Sequence, residues 1–182
     1  MRNHAKQKPR TLKLSSDDFV RLILSHANTF QGDFAVLQRQ SLMDFAATFA
    51  MRFGTRTKVY DELVEQNLKL ASTGGMRYAL MLTPYAGKKA REHVLRVMFS
   101  IFGTRNVNQI VSYAEEFLGR DLMLHECTAL SHKFASCPNE SDKVERRKLL
   151  KYIEEKFPKQ LNKFIKYFER EDKFWEGPGS IL

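Results

Sequence analysis

The sequence predicts a mainly α-helical protein folded as a multi-helix bundle, and three observations carry this prediction. From residue 15 onward, apolar residues recur mostly three and four positions apart, which places them on one side of a helix. Glycines and prolines stand where such segments end. With 43% apolar and 28% charged residues in a chain of 182, the composition is that of a globular protein able to bury one core.

Two helices are predicted in the first third of the chain. Ser15 can cap the first helix, and Asp17 and Asp18 fall in its positive first turn. The second is predicted over residues 34–53 and ends at Gly54. The apolar residues expected along the first helix are Phe19, Val20, Leu22, Ile23, Leu24 and Ala27, and the broad buried face expected on the second comprises Leu37, Leu42, Phe45, Ala46, Phe49 and Met51.

In the middle of the chain, the sequence predicts shorter, mostly helical segments. Thr57 is the expected N-cap of a third helix, which Gly74 and Gly75 are expected to break. Residues 76–82 are apolar but too few for periodicity to separate a strand from a helical turn. Further helices are predicted over residues 88–102, 107–118 and 122–135, with Gly103 and Gly119 as stops and Pro138 beyond the last of the three.

The C-terminal part is dense in charge and predicts a pair of helices. Ser141 is the expected cap of the first, which runs to Phe157, and Pro158 precedes the second. We therefore predict three regions: a basic arm or strand over residues 1–14, a helical core domain over 15–137, and a basic helical pair with its tail over 138–182.

The net charge of +9 favours a polyanionic partner, because clustered Lys and Arg release condensed counterions when they bind phosphates. We find no signal peptide and no apolar run long enough to cross a membrane, so a cytoplasmic location without a membrane partner is expected. The two cysteines do not suggest a disulfide framework. No catalytic constellation is recognisable, and we expect a protein that is not an enzyme and needs no cofactor.

Residues 10–14 alternate between polar and apolar side chains. A strand here would place Leu12 and Leu14 on one face and Thr11 and Lys13 on the other. Two such strands could pair across a homodimer axis, and a two-stranded ribbon fits the major groove of DNA. The alternative is a basic arm that binds phosphates without sequence preference.

This order of a basic arm, an alternating strand, a capped helix, a glycine-containing turn and a second helix resembles the ribbon-helix-helix repressors and the plasmid mobilisation (relaxosome) accessory proteins. The resemblance covers residues 8–53. It implies that Thr11 and Lys13 contact bases and that the start of the second helix, near Gly32, grips a phosphate, although a carboxylate at Asp33 departs from that pattern. Residues 106–111, Asn-Val-Asn-Gln-Ile-Val, are similar to an Asn-rich segment of mobilisation accessory proteins.

The sequence therefore predicts a nucleic-acid-binding regulator or accessory factor of plasmid or phage type, acting on DNA rather than RNA. The residues expected to contact nucleic acid are basic, apart from one threonine, and fall in three places. They are Lys6, Lys8, Arg10, Thr11 and Lys13 in the arm, Lys88, Lys89 and Arg91 at one helix start, and Arg146, Arg147, Lys148 and Lys151 near the C-terminus. The alternatives are an α-helical protein-interaction module, such as an adaptor or inhibitor, and an RNA-binding protein that uses the C-terminal helices.

Two further motifs suggest chemistry that the spacing does not support. His125, Cys127, His132 and Cys137 resemble zinc ligands, but on a continuous helix Cys127 and His132 lie about 140° apart and cannot converge. We therefore expect no metal there. Gly87-Lys88-Lys89 lacks the other residues of a phosphate-binding loop. Lysines at the positive end of a helix are nevertheless unfavourable, and a bound phosphate would relieve that repulsion.

Overall fold

A computed structural model describes residues 14–32, 34–70, 73–100, 105–135 and 140–176. Within these residues the chain is helical, with no strand, which confirms the predicted mainly α fold. The predicted β-ribbon depends on residues 10–13, which lie outside the described part of the chain, as do Asp33, Gly103, Cys137 and Pro138. The predicted boundary near residue 138 therefore also lies outside it.

The helices follow one another with short connections. They are α1 (Ser16–Ala27), α2 (Ala35–Phe53), α3 (Thr57–Lys69), α4 (Thr73–Leu82), α5 (Lys88–Met98), α6 (Val107–Tyr113), α7 (Leu124–Ala135), α8 (Glu140–Lys156) and α9 (Leu161–Glu176). Single 3₁₀ turns at Thr83–Tyr85 and Pro158–Gln160 lead into α5 and α9, and a π-helical turn at Ala114–Leu118 continues α6.

Several predicted helix ends are confirmed by local geometry. Ser15 caps α1, and its Oγ accepts a hydrogen bond from the Asp18 backbone N–H at 3.2 Å. Gly54 and Gly119 follow α2 and the π-helical turn with φ of 74° and 65°, a region that favours glycine because it has no Cβ. The sequence therefore marks these ends through purely local chemistry.

Other predicted ends are wrong. The N-cap of α3 is Arg56, and Thr57 is the first helical residue. The Arg56 backbone N–H donates to Asp17 of α1 at 3.0 Å, so a contact from another helix anchors this end of α3. Gly74 and Gly75 do not break a helix but lie inside α4, and residues 76–82 are helical. Ser141 is likewise inside α8, which begins at Glu140.

One contiguous hydrophobic core joins two groups of helices. In the N-terminal group, α1 to α4 pack on one another, and α5 packs on α3 and α4. In the C-terminal group, α7, α8 and α9 pack pairwise, and α6 lies against α8. Helix α5 also contacts α6 and the π-helical turn, so it connects the two groups.

Charged residues in the interior lie in the C-terminal group. Asp142 is fully buried, and Arg105 donates two hydrogen bonds to it at 2.7 and 3.0 Å. The carboxylate of Glu145 accepts the Val107 backbone N–H at the start of α6. A buried carboxylate is stable only with such partners, so these contacts fix α8 to the start of α6.

Helix α2 departs from its predicted packing. Of the residues predicted to be buried, Leu37 and Phe45 are exposed, and Leu42, Phe49 and Met51 are only partly buried. The core-facing residues of α2 are mostly small, namely Ala35, Met43, Ala46, Ala47 and Ala50. Alanines allow close approach of the neighbouring helices, and the broad apolar pattern could not indicate which of its two sides would be covered.

Candidate nucleic-acid interface

The structure describes seven of the twelve residues predicted to contact nucleic acid. Five of them lie outside the described residues, namely Lys6, Lys8, Arg10, Thr11 and Lys13. The other seven belong to α5 and α8, and the structure divides them into exposed cations and cations that are engaged inside the protein.

Lys88 and Lys89 are exposed at the start of α5. The Gly87 backbone N–H just before them donates to Asp61 Oδ1 of α3 at 2.6 Å. A protein carboxylate therefore already supplies the negative charge that this helix end requires. The expected need for a phosphate at this point is correspondingly reduced.

Arg91 is held within the fold. Its guanidinium donates to the carbonyl oxygens of Ala86, Phe117 and Pro84 at 2.8, 3.1 and 3.1 Å. These bonds connect α5 to the end of the π-helical turn. Arg91 was predicted to contact nucleic acid, and in the structure its guanidinium is engaged by three carbonyl oxygens of the protein.

Arg146 is also engaged in the interior, with 4% of its surface exposed. Its Nε donates to the Phe134 carbonyl at 2.9 Å, Nη1 pairs with Asp172, and the guanidinium lies 5.1 Å from the centre of the Phe168 ring. Nη2 is covered by the protein and has no hydrogen-bond partner. Arg146 therefore ties α7, α8 and α9 together and presents no accessible donor to a phosphate.

The remaining predicted cations of α8 differ in their availability. Lys148 pairs with Glu145 at 2.6 Å. Arg147 and Lys151 are exposed one helical turn apart, and neither forms an ion pair within the described residues. Glu154 and Glu155 are also exposed on this helix, so the outer surface of α8 carries both signs of charge.

Helix α9 and the turn before it carry a more uniform row of cations. Its members, which we call the α9 basic stripe, are Lys159, Lys163, Lys166, Arg170 and Lys173, and all are exposed. They are spaced 4, 3, 4 and 3 residues apart, which at about 100° per residue places them within an arc of about 80°. The acids Glu169, Glu171 and Asp172 lie outside that arc.

The site residues proposed from sequence omitted this stripe, although its spacing could have indicated it. Only Arg170 forms an ion pair within the described residues, with Glu171 at 3.1 Å. From Lys163 to Lys173 the stripe extends about 15 Å along the helix, at 1.5 Å per residue. The result is a linear positive surface on the solvent side of α9.

A cleft of about 310 Å³ runs between α7 and α9 beside the stripe. Its apolar lining includes Leu124, Phe164 and Tyr167, and Lys163 and Arg170 of the stripe also line it. Arg170 lies 5.3 Å from the centre of the Tyr167 ring, within the range of a cation–π interaction. The cleft therefore combines aromatic surface with two cations.

Polar groups also line this cleft. Gln160 contributes an amide, which can both donate and accept hydrogen bonds. His132 Nδ1 and the Tyr167 hydroxyl are 2.8 Å apart, and burial raises the pKa of Tyr167. The hydroxyl therefore stays protonated at neutral pH and anchors the imidazole at the edge of the cleft.

Of the four His and Cys residues that resemble zinc ligands, Cys137 lies outside the described residues, and the other three do not converge. His125 is exposed, Cys127 is fully buried, and His132 is hydrogen-bonded to Tyr167. Burial raises the pKa of the Cys127 thiol to about 12, so it is a protonated thiol at neutral pH. In the part of the chain that the structure describes, no three His, Cys, Asp or Glu residues are grouped as metal ligands would be.

The described helices also lack the combination of length and hydrophobicity that a membrane span requires. Comparison of the chain with protein-family models yields no match. Comparisons with curated proteins and with solved structures likewise yield none. A functional assignment therefore rests on the chemistry of the surfaces described above.

Proposed function

We propose that this protein binds nucleic acid without catalysing a reaction, and that the α9 basic stripe contacts the phosphates. The observation that carries the proposal is the aligned row of five exposed cations on α9 and the turn before it. Aligned cations neutralise successive phosphates and release their counterions, which gives affinity for any sequence. A role as a DNA-binding regulator or accessory factor is expected from the resemblance described above and is part of this proposal.

The competing explanation is that the lysines are simply the solvated side of an amphipathic helix. Helix α8 provides an internal comparison, because its exposed surface mixes Arg147 and Lys151 with Glu154 and Glu155. A surface selected only for solubility needs no segregation of charge. The absence of acids from the arc of the stripe therefore favours an anionic ligand.

The cleft beside the stripe favours an unpaired strand as that ligand. A backbone lying along Lys163 and Arg170 would bring a base to the mouth of the cleft, where Phe164 and Tyr167 provide apolar and aromatic surface. Gln160 could form hydrogen bonds with the edge of that base. Bases in a duplex are stacked and cannot enter such a cleft. Sequence-specific binding of duplex DNA depends instead on residues 10–13 and stays a prediction.

The decisive experiment compares two triple variants of the full-length protein. In one, the stripe residues Lys163, Lys166 and Lys173 become Gln; in the other, the exposed cations Lys58, Lys69 and Arg96, which are not predicted contacts, become Gln. Both variants lose the same charge. Fluorescence anisotropy with a single strand of RNA, the same strand of DNA and the duplex, over a series of salt concentrations, measures each affinity.

We expect the stripe variant to bind single strands about a hundredfold more weakly at low salt. Its salt slope should fall by about 2, since each lost phosphate contact removes about 0.7. The control variant should change far less. Equal losses in both variants would contradict a defined site, and failure of the unmodified protein to bind any of the three ligands would contradict the function itself.

A chain that lacks residues 1–13 separates the contribution of the basic arm. If α9 is the main site, the truncated chain should retain most of its affinity for single strands. Selective loss of duplex binding on truncation would support the predicted ribbon. Loss of all binding would assign the function to the arm and contradict the α9 site.

A further inference from the structure

The outer surface of α1 and α2 carries large apolar side chains with no covering element among the described residues. We call it the phenylalanine face, and it comprises the ring cluster of Phe19, Phe45, Phe49 and Phe53 together with the exposed Leu22 and Leu37 of the same two helices. On α2, Phe45, Phe49 and Phe53 follow one another at four-residue intervals. The ring centres of Phe19 and Phe49, and of Phe49 and Phe53, are 4.5 Å apart, so the rings form a continuous cluster.

The degree of exposure is unusual for side chains of this size. Leu22, Leu37, Phe45 and Phe53 are exposed by 60%, 66%, 52% and 59%, whereas the core side of α2 is mostly alanine. Scattered exposed leucines need no explanation, but a contiguous aromatic patch usually marks an interaction site. In α2 the large side chains lie outside and the small ones inside. This arrangement is expected of a helix that packs on its own core through small residues and on a second partner through large ones.

The area of the face suits a small specific interface. The four exposed side chains present roughly 100 Å² each and the partly buried Phe19 and Phe49 less, so burying the face removes about 500 Å² per molecule. Two identical molecules would then bury about 1,000 Å² before polar residues at the edge are included, near the lower limit of stable interfaces. The face is therefore large enough to hold a second copy with modest affinity.

Charge indicates which partner fits. The chain carries a net charge of +9, so two copies repel one another over most orientations. Between Leu37 and Phe53 the charged residues of α2 are Arg39, Asp44 and Arg52. Arg39 donates to the Phe30 carbonyl, Asp44 accepts from Gln40, and Arg52 is exposed. Two molecules can therefore meet here with little repulsion, whereas an acidic partner would be drawn to α9.

From these observations we propose that the phenylalanine face is the interface of a homodimer. A two-fold axis would bring the same patch of both molecules together, so that the outer surface of α1 and α2 supplies both sides of the contact. The proposal is independent of nucleic-acid binding.

Sedimentation velocity of the full chain over a range of concentrations tests the proposal. The unmodified protein should convert from monomer to dimer as concentration rises. Phe45→Glu places a charge in the centre of the interface and should leave a monomer throughout. The matched control is Phe174→Glu on α9, where the side chain is 72% exposed and far along the chain, and it should dimerise normally.

Phe45→Ala is a second test variant that adds no charge and is therefore less prone than Phe45→Glu to fail to fold. Circular dichroism measures the helix content of all variants. We expect Phe45→Ala to raise the dimer dissociation constant at least about tenfold, as truncation of a central aromatic does. A monomer at every concentration would overturn the proposal and leave the face to another partner. A dimer unchanged by Phe45→Glu, or equally weakened by Phe174→Glu, would overturn the location.

Discussion

The two groups of helices are built in different ways. In α1 to α5, the buried polar side chains of the described residues are the neutral Asn67 and Thr83, and bulky apolar side chains remain on the outside. In α6 to α9 the interior contains five charged residues, and one side of α9 carries a row of cations, with the exposed Glu169 outside that row. The buried charged residues are Glu126, Lys133, Asp142, Glu145 and Arg146.

This contrast shows how one basic chain can present a cationic surface and an apolar surface in separate places. The C-terminal group uses several carboxylates internally, as partners of Arg105, Arg120 and backbone N–H groups. Those acids are then not on the outside of α9 to neutralise its lysines. The N-terminal group packs through small apolar residues, and its large ones are left for an uncharged contact. The variants below test this difference between the two groups of helices.

The largest effect should come from Asp142→Asn in the C-terminal group. Asp142 is buried, but 42% of the Arg105 side chain is exposed to solvent, so the loss of the charge-assisted hydrogen bonds between them should cost about 2–3 kcal/mol. Urea denaturation measures the free energy of unfolding. The matched variant is Glu62→Gln, which breaks the exposed Arg21–Glu62 pair of the N-terminal group and should cost at most about 1 kcal/mol. Equal losses would show that the two interiors do not differ as described.

A second variant, Phe45→Glu, tests whether the phenylalanine face and the α9 basic stripe act together in binding a strand. If the phenylalanine face forms a dimer, a long single strand can contact two stripes at once, and Phe45→Glu should weaken its binding roughly a hundredfold. A strand long enough for only one stripe should bind the variant as well as it binds the unmodified protein. Anisotropy titrations with both lengths make the measurement. A loss on the short strand would mean that Phe45 affects the α9 site directly.

The third prediction concerns pH and the buried Lys133, whose Nζ donates to the Met98 carbonyl at 2.9 Å. Burial lowers its pKa from 10.5 to about 8. Between those values the unfolded chain binds more protons than the folded chain, so the free energy of unfolding rises with pH. Cys127 opposes this above pH 9, because burial raises its pKa from 9.0 to about 12.

We therefore expect the free energy of unfolding to increase by about 1 kcal/mol from pH 8 to pH 9 and to level off above that. Urea denaturation in closely spaced buffers measures the change. Lys133→Met should remove the increase, whereas Lys163→Met on the exposed stripe should leave it intact. An increase that persists in Lys133→Met would assign it to another group.

The smallest effect should come from Asp61→Asn in the N-terminal group. Asp61 receives the Gly87 N–H at the start of α5, where a negative charge is favourable and Lys88 and Lys89 add positive charge. Loss of the charge should cost about 0.5 kcal/mol, less in high salt. Thermal unfolding at two salt concentrations detects it. Nucleic-acid affinity should stay constant, and an increase would revive a phosphate site at this helix end.

Much of the fold could be predicted from sequence because helix signals are local. Ser15, Gly54 and Gly119 act through their own backbone or hydroxyl group, and the predicted ends at these residues are confirmed. The wrong predictions involve partners distant in sequence. Thr57 is not the N-cap of α3, and the Arg56 before it is anchored through its backbone N–H to Asp17, 39 residues earlier in the chain.

The candidate site was predicted less well, for the same reason. The side chains of Arg91 and Arg146 are long enough to point outward or inward, and only the folded chain reveals the carbonyls that each one meets. The stripe on α9 was within reach of sequence analysis, since its 4-3-4-3 spacing is a property of the sequence alone. The exposure of Phe45 was not, because α2 is apolar on more than one side.

Chemical modification of the buried thiol of Cys127 can be used to measure local opening of the folded chain. Because its pKa is about 12, the reactive thiolate is scarce in the closed structure at neutral pH, and alkylating reagents reach it only when α7 separates from the core. The rate at which Cys127 is modified therefore measures the frequency of that local opening. A ligand that binds between α7 and α9 should slow this chemistry, so occupancy of the cleft can be followed by peptide mass spectrometry without any label on the ligand.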